Sequence, residues 1–205
     1  MESNSQTELK QRDLLEAQIR ECYGRVVYSH KTQEKYADIL LKRNNSIKIW
    51  QLILTGIITG SFIATIFGDG KISAIIGTII SSILLIINSY TKDIDLVSIA
   101  EKHRLSAHQL WEIRESYLSL LTDFNLLTIQ QIVEQRNILQ QKLSLAYSDS
   151  PRTNNKAYNK AQSALKYNEE LTFSERELDL LLPKKLRKHQ GSCDQSSLKN
   201  KDPEK

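Results

Sequence analysis

Residues able to do chemistry are sparse in this chain, and their spacing suits it poorly. His103 and His108 are five apart, which puts them on different faces of a helix. His108 and Glu112 do have the i,i+4 spacing that can present two ligands to zinc, but a lone pair of this kind reads as a surface contact. Glu177 and Asp179 are two neighbouring acids with none of the other groups of an acid–base site beside them. Cys22 and Cys193 stand at opposite ends, without metal-ligand or redox spacing, and read as reduced cytosolic thiols. The sequence holds no glycine-rich phosphate loop, no nucleophile elbow and no Cys–His nucleophile pattern. It therefore predicts a protein that is not an enzyme and takes no metal or cofactor.

The informative residues are small and polar, and they lie inside apolar sequence. Gly56 and Gly60 form a G-x-x-x-G motif flanked by Thr55 and Thr59. Further on, Ser73, Gly77 and Ser81 recur every four residues, and Asn88 continues that face. Helices in lipid gain little from hydrophobic association, so small residues that let backbones approach carry their packing. Hydroxyls and an amide can also solvate water or ions without the cost of a buried charge. Two roles stay open for these eight positions, helix packing and the lining of a pore. The roles are compatible. A pore needs several copies, because two helices cannot enclose one.

The elements that carry these residues are two uncharged stretches, Ile49 to Phe67 and Ile72 to Thr91. The mean hydropathy of −0.40 hides them, because the rest of the chain is polar. Crossing about 30 Å of hydrocarbon at roughly 1.5 Å per residue takes about 20 apolar residues, so each stretch is long enough to span. A buried hairpin in a soluble bundle is the alternative, but the polar remainder offers too little apolar surface to cover it. A cleavable signal is disfavoured by the late start and by the second stretch that follows at once. The spans are placed at 49–67 and 72–90. Gly68-Asp69-Gly70 makes the turn between them, and so short a link forces an antiparallel hairpin. Lys42, Arg43 and Lys48 precede the first span and Lys92 follows the second, whereas the turn region holds only Asp69 and Lys71. Basic flanks stay in the cytoplasm, so both termini are expected inside. The net charge of +4 is mild, and no reading module for nucleic acid is present. The basic residues beside the spans suit anionic lipid headgroups, and Lys184, Lys185, Arg187 and Lys188 suit either headgroups or a solvated tail.

The fold class is all-α, a two-helix transmembrane hairpin extended into long cytoplasmic helices that pair, plus short C-terminal helices. From about Thr7 to Lys48 an apolar stripe runs through Leu15, Ile19, Cys22 and Val26. It breaks at polar Ser29, His30 and Gln33 and resumes at Ala37, Leu40 and Ile47. This helix is expected to run unbroken into the first span. The second span is likewise expected to continue without a break through Lys92 to Asn125, with a stripe of Ile99, His103, Ala107, Leu110, Tyr117, Leu121 and Phe124. Further helices are expected over Leu127–Tyr147, ended by Ser150-Pro151, and over Asn155–Lys166. A last short helix is opened by a capping box, either Thr172 with Glu175 or Ser174 with Glu177, and closed by Pro183. Residues 7–187 form one two-span domain in this reading, and 188–205 a disordered polar tail.

Beyond the hairpin, the order of several short words resembles a known family. They are Gly24-Arg25-Val26-Val27-Tyr28-Ser29-His30-Lys31-Thr32, Lys35 and Ala37-Asp38-Ile39-Leu40 before the spans, and Tyr90-Thr91-Lys92-Asp93 after them. Next come Ala100-Glu101-Lys102-His103-Arg104, Leu110-Trp111, Arg114-Glu115-Ser116-Tyr117-Leu118 and Lys156-Ala157-Tyr158 with Ala161. Glu177-Leu178-Asp179 and Leu182-Pro183 close the series. Over roughly residues 9 to 187 the chain resembles the SLATT family, two-span effector domains of bacterial nucleotide-signalling conflict systems. The resemblance implies a membrane effector of antiphage defence and abortive infection in the bacterial inner membrane, silent until released, which then forms homo-oligomers and permeabilises that membrane. The partners it implies are a nucleotide signal made by a nucleotidyltransferase, a SLOG-type sensor or a reverse transcriptase encoded nearby. A non-conducting helical scaffold for a cytosolic defence partner is the alternative. A nucleotide-gated channel that binds its ligand directly is a further possibility, with Arg25, Lys31 or Arg104 facing a phosphate.

Overall fold

The computed structural model describes residues 2–67, 70–183 and 186–188. Among them there is no strand. Helix α1 runs from Glu2 to Phe67, α2 from Gly70 to Asp93 and α3 from Leu96 to Thr122. A short 3-10 turn at Phe124–Leu126 leads to α4 (Ile129–Asp149), α5 (Asn155–Lys166) and α6 (Glu175–Leu181). The chain divides into two compact units, 1–163 and 164–205, with the boundary inside α5.

The first helix is continuous, as its lack of breakers predicts, and begins at Glu2 rather than near Thr7. One seam runs its length. Leu15, Ile19, Cys22, Val26, His30, Gln33, Ala37 and Leu40 are buried, and Asn44, Ile47, Gln51, Leu54, Ile58, Ser61 and Thr65 follow at spacings of three and four, half-buried. An apolar repeat of this period keeps one face of a helix toward its neighbour. Below residue 48 that neighbour is α3, and above it α2.

The expected unbroken passage from the second span to Asn125 is not observed. Helix α2 stops at Asp93, and α3 restarts at Leu96. Asp95 causes the break: its carboxylate accepts from the Val97 and Ser98 amides, both at 3.0 Å, and so satisfies two orphan donors of a new helix. The restart also resets the stripe. Ile99 is exposed, and Leu96, Ala100, His103, Ala107, Leu110, Ile113, Tyr117 and Leu120 are buried instead, with Leu121 only flanking the core. Replacing Asp95 with Ala removes about 1 kcal/mol of capping. Hydrogen exchange at the Val97 and Ser98 amides should quicken about fivefold, and unchanged exchange would contradict this role.

The paired stalk has two apolar cores. The one farther along the chain from the spans joins Leu15, Ile19, Cys22 and Val26 to Leu110, Tyr117 and Phe124, with Ile132, Leu139 and Ala146 of α4 against them. The one next to the hairpin joins Ala37 and Leu40 to Leu96 and Ala100. Between them lies a buried polar belt of His30, Lys31, Thr32, Gln33, His103 and Ser106. Gln33 organises it: its amide nitrogen donates to the Pro151 carbonyl at 3.1 Å, which leaves its oxygen to accept from His103 Nδ1. His103 therefore carries a proton on Nδ1, and Tyr36 meets its ring edge-on at 4.5 Å. Ser106 and Ser150 share a hydrogen bond, so the belt also holds the end of α4.

The belt makes stability depend on pH. Burial holds His103 below the ordinary 6.5. Burial also lowers His30, helped by the charges of Arg114 and Lys31 and opposed by Glu34 and Glu115. Both side chains titrate near 6.5 when unfolded, so below that pH the unfolded chain binds more protons. Stability present above pH 6.5 is lost as pH falls through the lower folded values. The melting temperature of the solubilised chain should drop from pH 7.5 to 5.5, and less steeply in His103→Gln. A flat profile would refute the belt's role.

Helix α4 starts two residues later than its periodicity suggests, because Thr128 and Gln131 form a capping box. Its end is two residues beyond Tyr147, at Asp149, just before Ser150-Pro151. Helix α5 has the expected bounds. In the second unit the capping box uses Ser174 with Glu177, not Thr172 with Glu175. The Ser174 amide and hydroxyl hold the Glu177 carboxyl below its usual range. The Lys188 amide donates to Asp179 at 3.0 Å, placing Lys188 beside α6. Gly68, Asp69, Cys193 and most of the predicted polar tail lie outside the described residues.

Candidate functional site

The spans form an antiparallel pair with a seam of their own. On α1 it is Gln51, Leu54, Ile58, Ser61 and Thr65, and on α2 it is Ser73, Gly77, Ile80, Leu84, Ile87 and Thr91. The helices approach closely where small residues face each other. A Cβ placed on Gly77 would come within 3.3 Å of the Ser61 Cβ, tighter than ordinary contact. At one end Thr65 and Ser73 share a hydrogen bond of 3.0 Å. At the other, Gln51 donates to Asn88 at 2.8 Å and lies 3.4 Å from the Thr91 hydroxyl. The seam is thus zipped by polar bonds at both ends, which suits a setting where water cannot supply partners.

One flank of the pair is a groove of about 390 Å³ lined by Ser61, Thr65, Ser73, Gly77, Thr78, Ser81 and Ser82, with Ile58, Phe62 and Ala74 completing its walls. Several of its hydroxyls donate to their own helix: Ser61 to the Ile57 carbonyl at 2.9 Å, Thr78 to Ala74 at 2.8 Å and Ser82 to Thr78 at 2.9 Å. Their donors are committed, so what they offer outward is acceptor lone pairs. Such a surface suits water and cations and carries no charge.

The eight sequence candidates separate on the structure. Ser73 and Gly77 sit in the seam and Ser81 in the groove, while Asn88 is exposed beside the seam with its amide oxygen on Gln51. Thr55, Gly56, Thr59 and Gly60 stand elsewhere. All four are exposed, and a Cβ on either glycine would meet nothing within 4 Å. The G-x-x-x-G motif therefore does not hold the two spans of one chain together. Its flat surface is open for a second chain. The seam role of Gln51 and the groove positions Ser61, Thr65, Thr78 and Ser82 were not singled out from sequence. The signal was there, since Gln51, Ser61 and Thr65 continue the three-four spacing begun at Leu15.

Other polar pairs lie on the surface. His108 and Glu112 are 3.5 Å apart and both exposed, at the spacing of an ordinary i,i+4 contact. Cys22 is buried in the stalk core.

Neither apolar window of the hairpin has a buried residue, although each is long and apolar enough to cross a bilayer. A core helix of a soluble protein would be mostly buried, so exposure of this extent points to a lipid environment. No curated protein and no solved structure matches the chain. A family model does, over residues 15–177, and it is described as a two-transmembrane (2TM) effector domain. That range contains the whole hairpin, the stalk with its polar belt, and the start of α6. The chain belongs to the SMODS and SLOG-associating 2TM effector domain family 4.

Proposed function

We propose that this membrane effector acts by permeabilising the bacterial inner membrane as a homo-oligomer, with the hydroxyl-lined flank of each hairpin turned toward a shared aqueous path. The observation that carries the reading is the groove: one flank collects Ser61, Thr65, Ser73, Thr78, Ser81 and Ser82, while exposed isoleucines such as Ile57, Ile76 and Ile83 suit lipid. Polar flanks of neighbouring hairpins hide from lipid when they face one another. The exposed Gly56 and Gly60 supply a close contact between chains. Basic residues on the stalk side of both spans support a cytoplasmic stalk with both termini inside. In that position the stalk meets the releasing signal, a partner protein or a nucleotide made by one. The chain acts by assembly, not by catalysis, and needs no cofactor.

The competing reading is a non-conducting scaffold whose hairpin only tethers the stalk. Exchanging both spans for an unrelated dimeric hairpin separates the two. Loss of growth arrest, with the exchanged protein still in the membrane, supports permeabilisation. Retained arrest would make the hairpin a tether.

A further inference from the structure

A second concave site lies in the stalk, away from the hairpin. The polar belt opens on one side into a cleft of about 350 Å³ between α1 and α3. That volume falls in the range of small-molecule sites. Its walls carry His30, Lys31 and Lys35 from α1 and Arg104, His108 and Trp111 from α3. Glu34 and Asp38 are also present, and Glu34 bonds Lys31 at 2.9 Å, which steadies the lysine in place.

Three features distinguish this cleft from a solvated basic surface. First, His30 is only 5% exposed, and its Nδ1 is buried without a hydrogen-bond partner. A buried polar atom left unmatched is costly, so its persistence beside the cleft points to a missing group. Second, the rings of His108 and Trp111 lie parallel within 9° at the rim, with the indole 43% exposed. A flat aromatic at a cleft mouth is a stacking platform for another flat ring. Third, Arg104 comes from the opposite helix to Lys31 and Lys35. Basic side chains thus line the cleft from two sides, an arrangement that suits an anion with several oxygens.

We propose that this cleft binds a nucleoside phosphate, the base against Trp111 and the phosphate between Arg104, Lys35 and His30. A lipid headgroup offers the same phosphate but not the position. His30 precedes Ile49 by nineteen residues, about 28 Å along the helix at roughly 1.5 Å per residue, beyond the headgroup layer. The site gives the signal invoked above a place to act and rests on that reading only for its consequence, because binding is measured directly.

The test uses the full chain in phosphatidylcholine nanodiscs, in a Trp50→Phe background that leaves Trp111 as the fluorescent reporter. ATP, GTP, CTP and UTP are titrated, with adenosine and tripolyphosphate as partial ligands. The proposal expects saturable quenching by at least one nucleotide and at least tenfold weaker binding of each partial ligand. Arg104→Ser should weaken the nucleotide at least tenfold, and exposed Arg43→Ser should not. Absence of saturable quenching by all four would overturn the proposal. Equal binding of tripolyphosphate, insensitivity to Arg104→Ser, or displacement by added phosphatidylglycerol would overturn it too. These last outcomes indicate diffuse charge, another site and a lipid ligand, respectively. None depends on whether the hairpin conducts, so failure here leaves the permeabilising role intact.

Discussion

Ser81→Leu is expected to abolish membrane depolarisation while the protein still inserts and assembles. Ser81 lines the groove, and it is exposed rather than part of the seam between the spans. Leucine at this position fills the groove and replaces an acceptor with an apolar group, yet favours insertion. Depolarisation rate should fall by more than tenfold. Ile83→Leu, outside the groove, should leave it unchanged. Gly60→Leu should behave differently. Its Cβ meets nothing within the chain, so the hairpin is undisturbed, but the flat surface offered to a second chain is lost. Crosslinking in membranes should therefore show Gly60→Leu as dispersed and Ser81→Leu as assembled, both silent. Depolarisation that persists in both variants would remove these faces from the mechanism.

The second large effect is expected in the stalk. Tyr117 is fully buried where α1, α3 and α4 meet, so Tyr117→Ala should cost about 3–5 kcal/mol through lost burial and a cavity. Its buried hydroxyl has the Cys22 thiol, a weak partner, as its neighbour and no stronger hydrogen bond, and burial there pushes the phenol well above its usual range. Tyr117→Phe removes that weakly matched group and should change stability by less than about 1 kcal/mol. Thermal unfolding of the solubilised chain would resolve the pair. Equal destabilisation by both substitutions would mean that the hydroxyl does have a stronger structural partner.

The parts of this fold legible in the sequence are those set by period and punctuation. Leu15, Ile19, Cys22 and Val26 declared the buried face of α1, and the run without proline correctly implied one helix into the first span. Asn155 and Lys166 bounded α5, since Pro151 ended the helix before it. The break at Asp95 was not legible. Aspartate is tolerated inside an exposed helix face, and only its bonds to Val97 and Ser98 reveal it as a cap. That single cap shifted the α3 stripe from Ile99 to Ala100. The polar interruption at His30 and Gln33 was visible, but its meaning needed the opposite helix, because His103 and the Pro151 carbonyl satisfy Gln33 from remote sequence. The candidate site was half legible. Small residues marked both spans, but which of them face the partner span depends on the rotation of each helix. Gly77 proved to be a point of close approach, and Gly56 with Gly60 faced away.

The central claim is tested most directly by the membrane potential of living bacteria that express this chain, read with a voltage-sensitive dye, with and without its neighbouring genes. The account predicts rapid depolarisation when the neighbours are active, lost in Ser81→Leu and retained in Ile83→Leu. An unchanged potential, with the protein in the membrane and its neighbours active, would contradict it and leave the hairpin as an anchor for the stalk.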